Sequence, residues 1–158
     1  MQISLLVLFT HNPCVLMCAL ISFAAMEELY RKNPITGLDA VSFSGGNYMR
    51  AVEYGAWCVA FLNHGDRFAA PTYVERHNES DEVFVLLSGE ATLLIGESWH
   101  PVEMEKLKMY NVRKGTWHQI VTKPGSRCLV IENADTCAAN SERRQMSDFS
   151  TQAKERIQ

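Results

Sequence analysis

Downstream of Gly37 the chain is a succession of short apolar runs cut by turn residues, a pattern of strands rather than helices. Ten runs qualify, at 40–43, 48–53, 56–62, 72–76, 83–87, 91–95, 102–104, 108–112, 118–121 and 128–132. Side chains alternate across a strand, so Tyr73, Glu75 and His77 share one face while Arg76 takes the other. Ser88-Gly89 and Pro124-Gly125 join neighbouring runs as tight hairpins. So many short strands, with no repeat or linker between them, predict an all-β sandwich or barrel. The polar stretch 140–158 reads as a tail, either a helix capped by Asn140 or Ser141 or a disordered end.

Composition narrows the picture. A chain of 158 residues, 47% hydrophobic, holds one domain with a sufficient core. A net charge of -3 excludes a nucleic-acid-binding surface and leaves a small neutral or anionic ligand as partner. Residues 1–25 contain no Asp, Glu, Lys or Arg, and all charge follows Met26. This leader reads as a start-site artefact with Met26 as the true start, or as a signal-like segment lacking the usual basic lead. His11, Asn12 and Pro13 break it, and 14–25 falls short of the ~20 residues a membrane span needs. The expected division is therefore leader 1–25, barrel 26–139 and tail 140–158. Five cysteines without paired spacing suggest neither a disulfide framework nor a cysteine zinc site. They point to a cytoplasmic protein, or a secreted or anchored one if 1–25 is a signal.

Chemistry concentrates in two stretches, 75–82 and 113–118. A four-residue break after His77 returns the chain so that His77 and Glu82 meet across it, and Glu82 shares a face with Phe84 and Leu86. In the second stretch a turn containing Gly115 delivers His118 at the head of a strand, facing the same way as Ile120.

Together these stretches make 65–122 resemble the two motifs of the cupin superfamily. His77, Glu82 and, after six intervening residues, Gly89 follow the first motif, and Gly115-Thr116-Trp117-His118 follows the end of the second. Glu75 stands where that family has its first histidine, and Arg113 replaces a usual proline. The resemblance implies a cupin-type double-stranded β-helix, or jelly-roll, barrel. It also implies a divalent metal ion (Zn, Mn, Fe or Ni) held by His77, Glu82 and His118, with Glu75 as an added ligand or a general base. A weaker likeness to ureidoglycolate lyases rests on Glu75-Arg76-His77, Phe84, Gly89-Glu90 and Trp117-His118. It implies cleavage of a small organic acid into glyoxylate and urea, with Glu75 or His118 as base and Arg76 or the metal holding the carboxylate. Phe84 and Trp117 would complete the substrate wall, although alternation sends Arg76 to the face opposite Glu75 and His77. The same residues also suit a non-catalytic ligand-binding or regulatory cupin, or an Fe(II)-dependent oxygenase. Strands 83–87 and 91–95 are apolar on nearly both faces, so a second sheet or a homodimer partner must cover them.

Overall fold

Alternating apolar runs of this length must bury one face each, and the chain does so by facing two sheets against one another. The computed structural model describes residues 30–31 and 37–148, so the leader 1–25 and the last ten residues lie outside the described part. In chain order the strands are β1 (Tyr30–Arg31), β2 (Ala40–Val41), β3 (Asn47–Tyr54) and β4 (Trp57–Asn63), followed by the short helix α1 (Asp66–Ala69). Then come β5 (Tyr73–His77), β6 (Glu82–Ser88), β7 (Ala91–Ile95), β8 (His100–Glu103) and β9 (Met109–Val112). The last are β10 (His118–Thr122), β11 (Arg127–Asn133) and β12 (Ser141–Gln145). One five-stranded sheet has the order β12-β5-β10-β7-β8, the other β3-β4-β11-β6-β9, and β1 pairs with β2. Every strand pairing is antiparallel.

Strand alternation sets the core. Ala60 and Leu62 of β4, Phe84 and Leu86 of β6, Leu93 of β7, Ile120 of β10, and Cys128 and Val130 of β11 all point between the sheets and are buried. Each large side chain removed from water there contributes about 1.5–3 kcal/mol relative to exposure. A second cluster of Val74, Leu94, Trp99 and Trp117 covers the outer face of the β5-β10-β7 sheet. That cluster explains why β7 is apolar on both sides. The outward side chains of β6, Val83 and Val85, are only half-buried.

The helix or disordered end expected from Asn140 is instead strand β12. All five of its residues pair with β5, from Ser141 opposite His77 to Gln145 opposite Tyr73. The barrel therefore runs to Gln145 rather than stopping at 139. Edge strands are often polar on both faces, so Ser-Glu-Arg-Arg-Gln carries no hydrophobic period to betray it. Cys58 and Cys128 are free and buried, and burial pushes their thiols up to about 11 and about 12. Cys137 is disulfide-bonded, contrary to the reading of the cysteine spacing. Among the described residues no helix is long and apolar enough to cross a membrane.

Candidate metal centre

Three strand ends deliver three side chains to one point between the sheets. His77 closes β5, Glu82 opens β6 and His118 opens β10. The β5–β6 turn is braced on both sides: Asn78 N–H donates to the Asn140 carbonyl at 2.9 Å, and the Ser80 hydroxyl accepts from Asn133 N–H at 3.0 Å. Asp81 binds this turn to the next, accepting from Lys114 N–H at 2.9 Å and from the Asn111 amide at 3.0 Å. Gly115, at φ 76°, lets the 113–116 turn fold close enough for its N–H to reach the His77 carbonyl at 2.6 Å.

Glu82 Oε2 lies 3.1 Å from His77 Nε2 and 2.7 Å from His118 Nε2. All three side chains are at least nine-tenths buried. The second nitrogen of each ring is already engaged, His77 Nδ1 with the Ser141 hydroxyl at 2.7 Å and His118 Nδ1 with the Thr116 carbonyl at 2.9 Å. A carbonyl only accepts, so His118 Nδ1 carries hydrogen and a neutral His118 aims the Nε2 lone pair at a carboxylate oxygen. Two lone pairs at that separation repel unless a cation sits between them, either a proton or a metal ion. The three donor atoms lie within 4.8 Å of one another, and second-nitrogen hydrogen bonds of this kind orient metal-binding histidines. The residues therefore fit a divalent ion. In the metal-free protein a proton takes its place. Burial works against both charges, yet the bond to Glu82 raises the His118 pKa, and the bonds from His118 and His77 hold Glu82 below the usual carboxylate range.

The cluster opens on a cavity of about 690 Å³ whose wall includes Tyr48, Arg50, Arg67, Glu75, Glu132 and Arg143. A pocket of about 20 Å³ shares Tyr48, Arg67, Glu75 and Glu82 with it and ends on Phe84 and His118. Glu75 is spanned by two guanidinium groups, Arg143 at 3.0 Å and Arg67 at 3.7 Å.

No family profile matches the sequence, and no curated protein matches it. Solved structures do. Pac13, a nucleoside dehydratase, matches at a TM-score of 0.52 with 12% identity over 80% of this chain and 92% of its own. A variant of the Streptomyces protein bound to uridine matches at 0.52 with 12% identity over 80% and 91%. A cupin-2 domain protein from Shewanella frigidimarina aligns over 58% of this chain and 84% of its own, at 18% identity and 0.46. The chain has the cupin fold.

Within this cupin barrel the predicted residues divide. His77, Glu82 and His118 come together, as the cupin resemblance implies. Glu75 faces the cavity but is not among the converging donors, because Arg143 and Arg67 draw its carboxylate toward them. His118 has no nitrogen left to act as a base when Nε2 is on a metal, since Nδ1 is held by Thr116. Phe84 packs under the site, its ring centroid 6.1 Å from that of His118. Arg76 and Trp117 are misassigned as substrate contacts. Both lie on the outer face of the sheet, where Arg76 grips Glu142 at 2.8 and 3.0 Å and stacks 4.7 Å from the Trp117 ring. The reason is the strand period itself: a residue adjacent to an inward His points outward. The reading passed over Tyr48, Arg50, Arg67, Glu132 and Arg143. Alternation could have found Glu132, which is in phase with buried Cys128 and Val130.

Proposed function

We propose that the protein is a metal-dependent cupin enzyme acting on a small anionic hydroxy acid, with elimination of ureidoglycolate to glyoxylate and urea as its specific reaction. The observation that carries this reading is the convergence of His77, Glu82 and His118 at the edge of a cavity whose wall also presents three arginines. A divalent ion bound by that triad supplies Lewis acidity toward an oxygen of the substrate. Arg67 and Arg143 hold the substrate carboxylate in place of outward-facing Arg76, a charge-assisted contact of the kind guanidinium groups make best. Glu75, lying between them, takes the hydroxyl proton as the carbon–nitrogen bond breaks. Phe84 and the apolar layer below the triad keep water from the inner side.

A second reading is supported by the donor set, since two histidines and one carboxylate also suit non-haem Fe(II) oxygenation. Elemental analysis of the purified chain beside His77→Ala, followed by urea release from ureidoglycolate and oxygen uptake with Fe(II), separates the two. Stoichiometric metal in the parent alone, with urea release, supports the lyase. A parent that takes up no metal even after reconstitution sinks both and leaves a ligand-binding cupin. We propose further that two copies associate through the outer face of β6 and β11, where Val83, Val85, Leu129 and Ile131 are half-buried among the described residues. Sedimentation of a monomer at micromolar concentration would exclude that.

A further inference from the structure

Asn140 and Ser141 cap no helix; they reach the metal cluster from the side of His77 that faces away from Glu82. Ser141 opens β12 directly opposite His77 in β5, and its hydroxyl lies 2.7 Å from His77 Nδ1. The same hydroxyl donates to Asn140 Oδ1 at 3.5 Å. Asn140 is fixed through every polar group it has. Its N–H donates to the Cys137 carbonyl at 3.2 Å, and its carbonyl accepts from Asn78 N–H at 2.9 Å. Its Oδ1 accepts from Cys137 N–H at 2.8 Å, and its Nδ2 donates to the Asp135 carbonyl at 3.1 Å. A backbone N–H on one side and a carbonyl on the other leave the amide only one orientation, with the oxygen toward Ser141. A hydroxyl has a single hydrogen. With that hydrogen on Asn140, Ser141 Oγ offers His77 a lone pair, and His77 Nδ1 is the donor.

We propose that Ser141 is a positioning residue of the metal site: backed by Asn140, it holds the hydrogen of neutral His77 on Nδ1, so that Nε2 presents its lone pair to an ion shared with Glu82 and His118. The inference rests on the metal-binding part of the proposed function and is independent of the substrate. The two histidines are oriented by different means. His118 Nδ1 meets the carbonyl of Thr116 at 2.9 Å, two residues back in its own turn, so its support arrives with the turn that delivers it. The support of His77 comes from 64 residues further along the chain, outside the 65–122 stretch that carries the cupin likeness. A ring without that partner is free to turn over or to carry its hydrogen on Nε2, and then no lone pair meets the ion. One ligand of the metal site is therefore set by the last strand of the barrel.

The rest of β12 holds the strand in place without the Ser141 hydroxyl. Its backbone pairs with β5 along all five residues. On the outer face Glu142 accepts from Arg76 at 2.8 and 3.0 Å and from the Asn78 amide at 3.0 Å. On the inner face Arg143 donates to Glu75 at 3.0 Å. Orientation of His77 and docking of the strand can thus be separated by substitution.

The test is calorimetric titration of zinc into the full chain after chelation, beside Ser141→Ala, Ser141→Thr and Glu142→Ala. Ser141→Ala should bind zinc about 10–100-fold more weakly, the loss typical when the hydrogen-bond partner of a ligating imidazole is removed. Ser141→Thr keeps a hydroxyl and should bind as the parent does, and so should Glu142→Ala, which weakens the strand's outer contacts and leaves His77 alone. In nuclear magnetic resonance of the zinc-loaded parent, the His77 Nδ1–H proton should exchange slowly with water, and in Ser141→Ala that resonance should be lost to exchange. Parent-like zinc affinity in Ser141→Ala overturns the proposal. Equal losses in Ser141→Thr or Glu142→Ala also overturn it, because strand docking rather than the hydroxyl would then set the affinity. A parent that binds no zinc removes the proposal together with the metal reading. The expected zinc pattern without urea release from ureidoglycolate leaves the role of Ser141 standing and removes the lyase assignment of the preceding subsection.

Discussion

Gly89 and Gly96 offer a controlled comparison, because both sit at φ 77° yet differ in what surrounds them. A Cβ added at Gly96 would meet nothing within 4 Å. At Gly89 it would collide with Ser126 Cα and lie 2.5 Å from Ser126 N, backbone atoms that cannot rotate away. Either alanine incurs the left-handed backbone penalty of about 1–2 kcal/mol. Gly89→Ala adds overpacking of about 1–3 kcal/mol. It also disturbs the Ser126 hydroxyl, 1% exposed in its residue, which accepts from Glu90 N–H at 3.1 Å and Lys123 N–H at 3.2 Å. Those bonds are worth about 1 kcal/mol each. The totals are about 1–2 kcal/mol for Gly96→Ala and, with both Ser126 bonds lost, about 4–7 kcal/mol for Gly89→Ala, read as separate urea midpoints at equal slope. Gly89 follows the far end of β6 from Glu82, so folded Gly89→Ala should bind metal as the parent does. Equal destabilisation by the two substitutions would refute the claim that Ser126 blocks a side chain at Gly89.

Three further outcomes are expected. Zinc at 100 times its dissociation constant should stabilise the parent by about 2.7 kcal/mol, and His77→Ala, Glu82→Gln and His118→Ala should each lose most of that shift in a thermal melt. In the chelated protein, the stabilisation from Glu82, whose pKa is lowered on folding, is present above the unfolded value of 4.5 and lost as pH falls through the folded one. The stabilisation from His118, whose pKa is raised, is complete below 6.5 and lost as pH rises through the folded value. Melting temperature should therefore decline on both sides, and His118→Gln should flatten the alkaline side; a decline that survives this change would contradict the assignment. Arg76→Ala should leave metal content and turnover unchanged and lower stability by no more than about 1 kcal/mol, since its partner Glu142 is exposed and only the stacking on Trp117 is sheltered.

What the sequence disclosed and what it hid follow from one physical distinction. A strand with one buried face writes its period into the chain, and β7 was read with its observed bounds, Ala91–Ile95. His77 and Glu82 were legible because a four-residue polar break returns the chain between them, and His118 joined them through the cupin resemblance carried by Gly115-Thr116-Trp117-His118. β12 wrote nothing, for its face against the cavity is Arg143 and its other face is Glu142 and Arg144. Its place is set by backbone pairing with β5, which no side-chain pattern reports. Arg67 was hidden for a similar reason, lying in a one-turn helix too short to show a period. Arg76 and Trp117 lie outward because each adjoins an inward-facing histidine, a placement that strand alternation reports and a motif likeness does not.

The inward-facing residues of each strand also change character along the barrel axis. On β6 they run Leu86, Phe84, Glu82; on β11 Cys128, Val130, Glu132; on β10 Ile120, then His118. In each case the apolar member lies in the core and the titratable member lies at the strand end that meets the cavity. Burying a charge costs several kcal/mol unless it is paired, so an ionisable residue in phase with core positions is unstable there without partners or a function. Glu82 has two histidines on one oxygen, and Glu132 has Tyr48 and Arg50 on one oxygen. The strand period thus marks two carboxyl groups at one end of the barrel, and a motif search finds only the first.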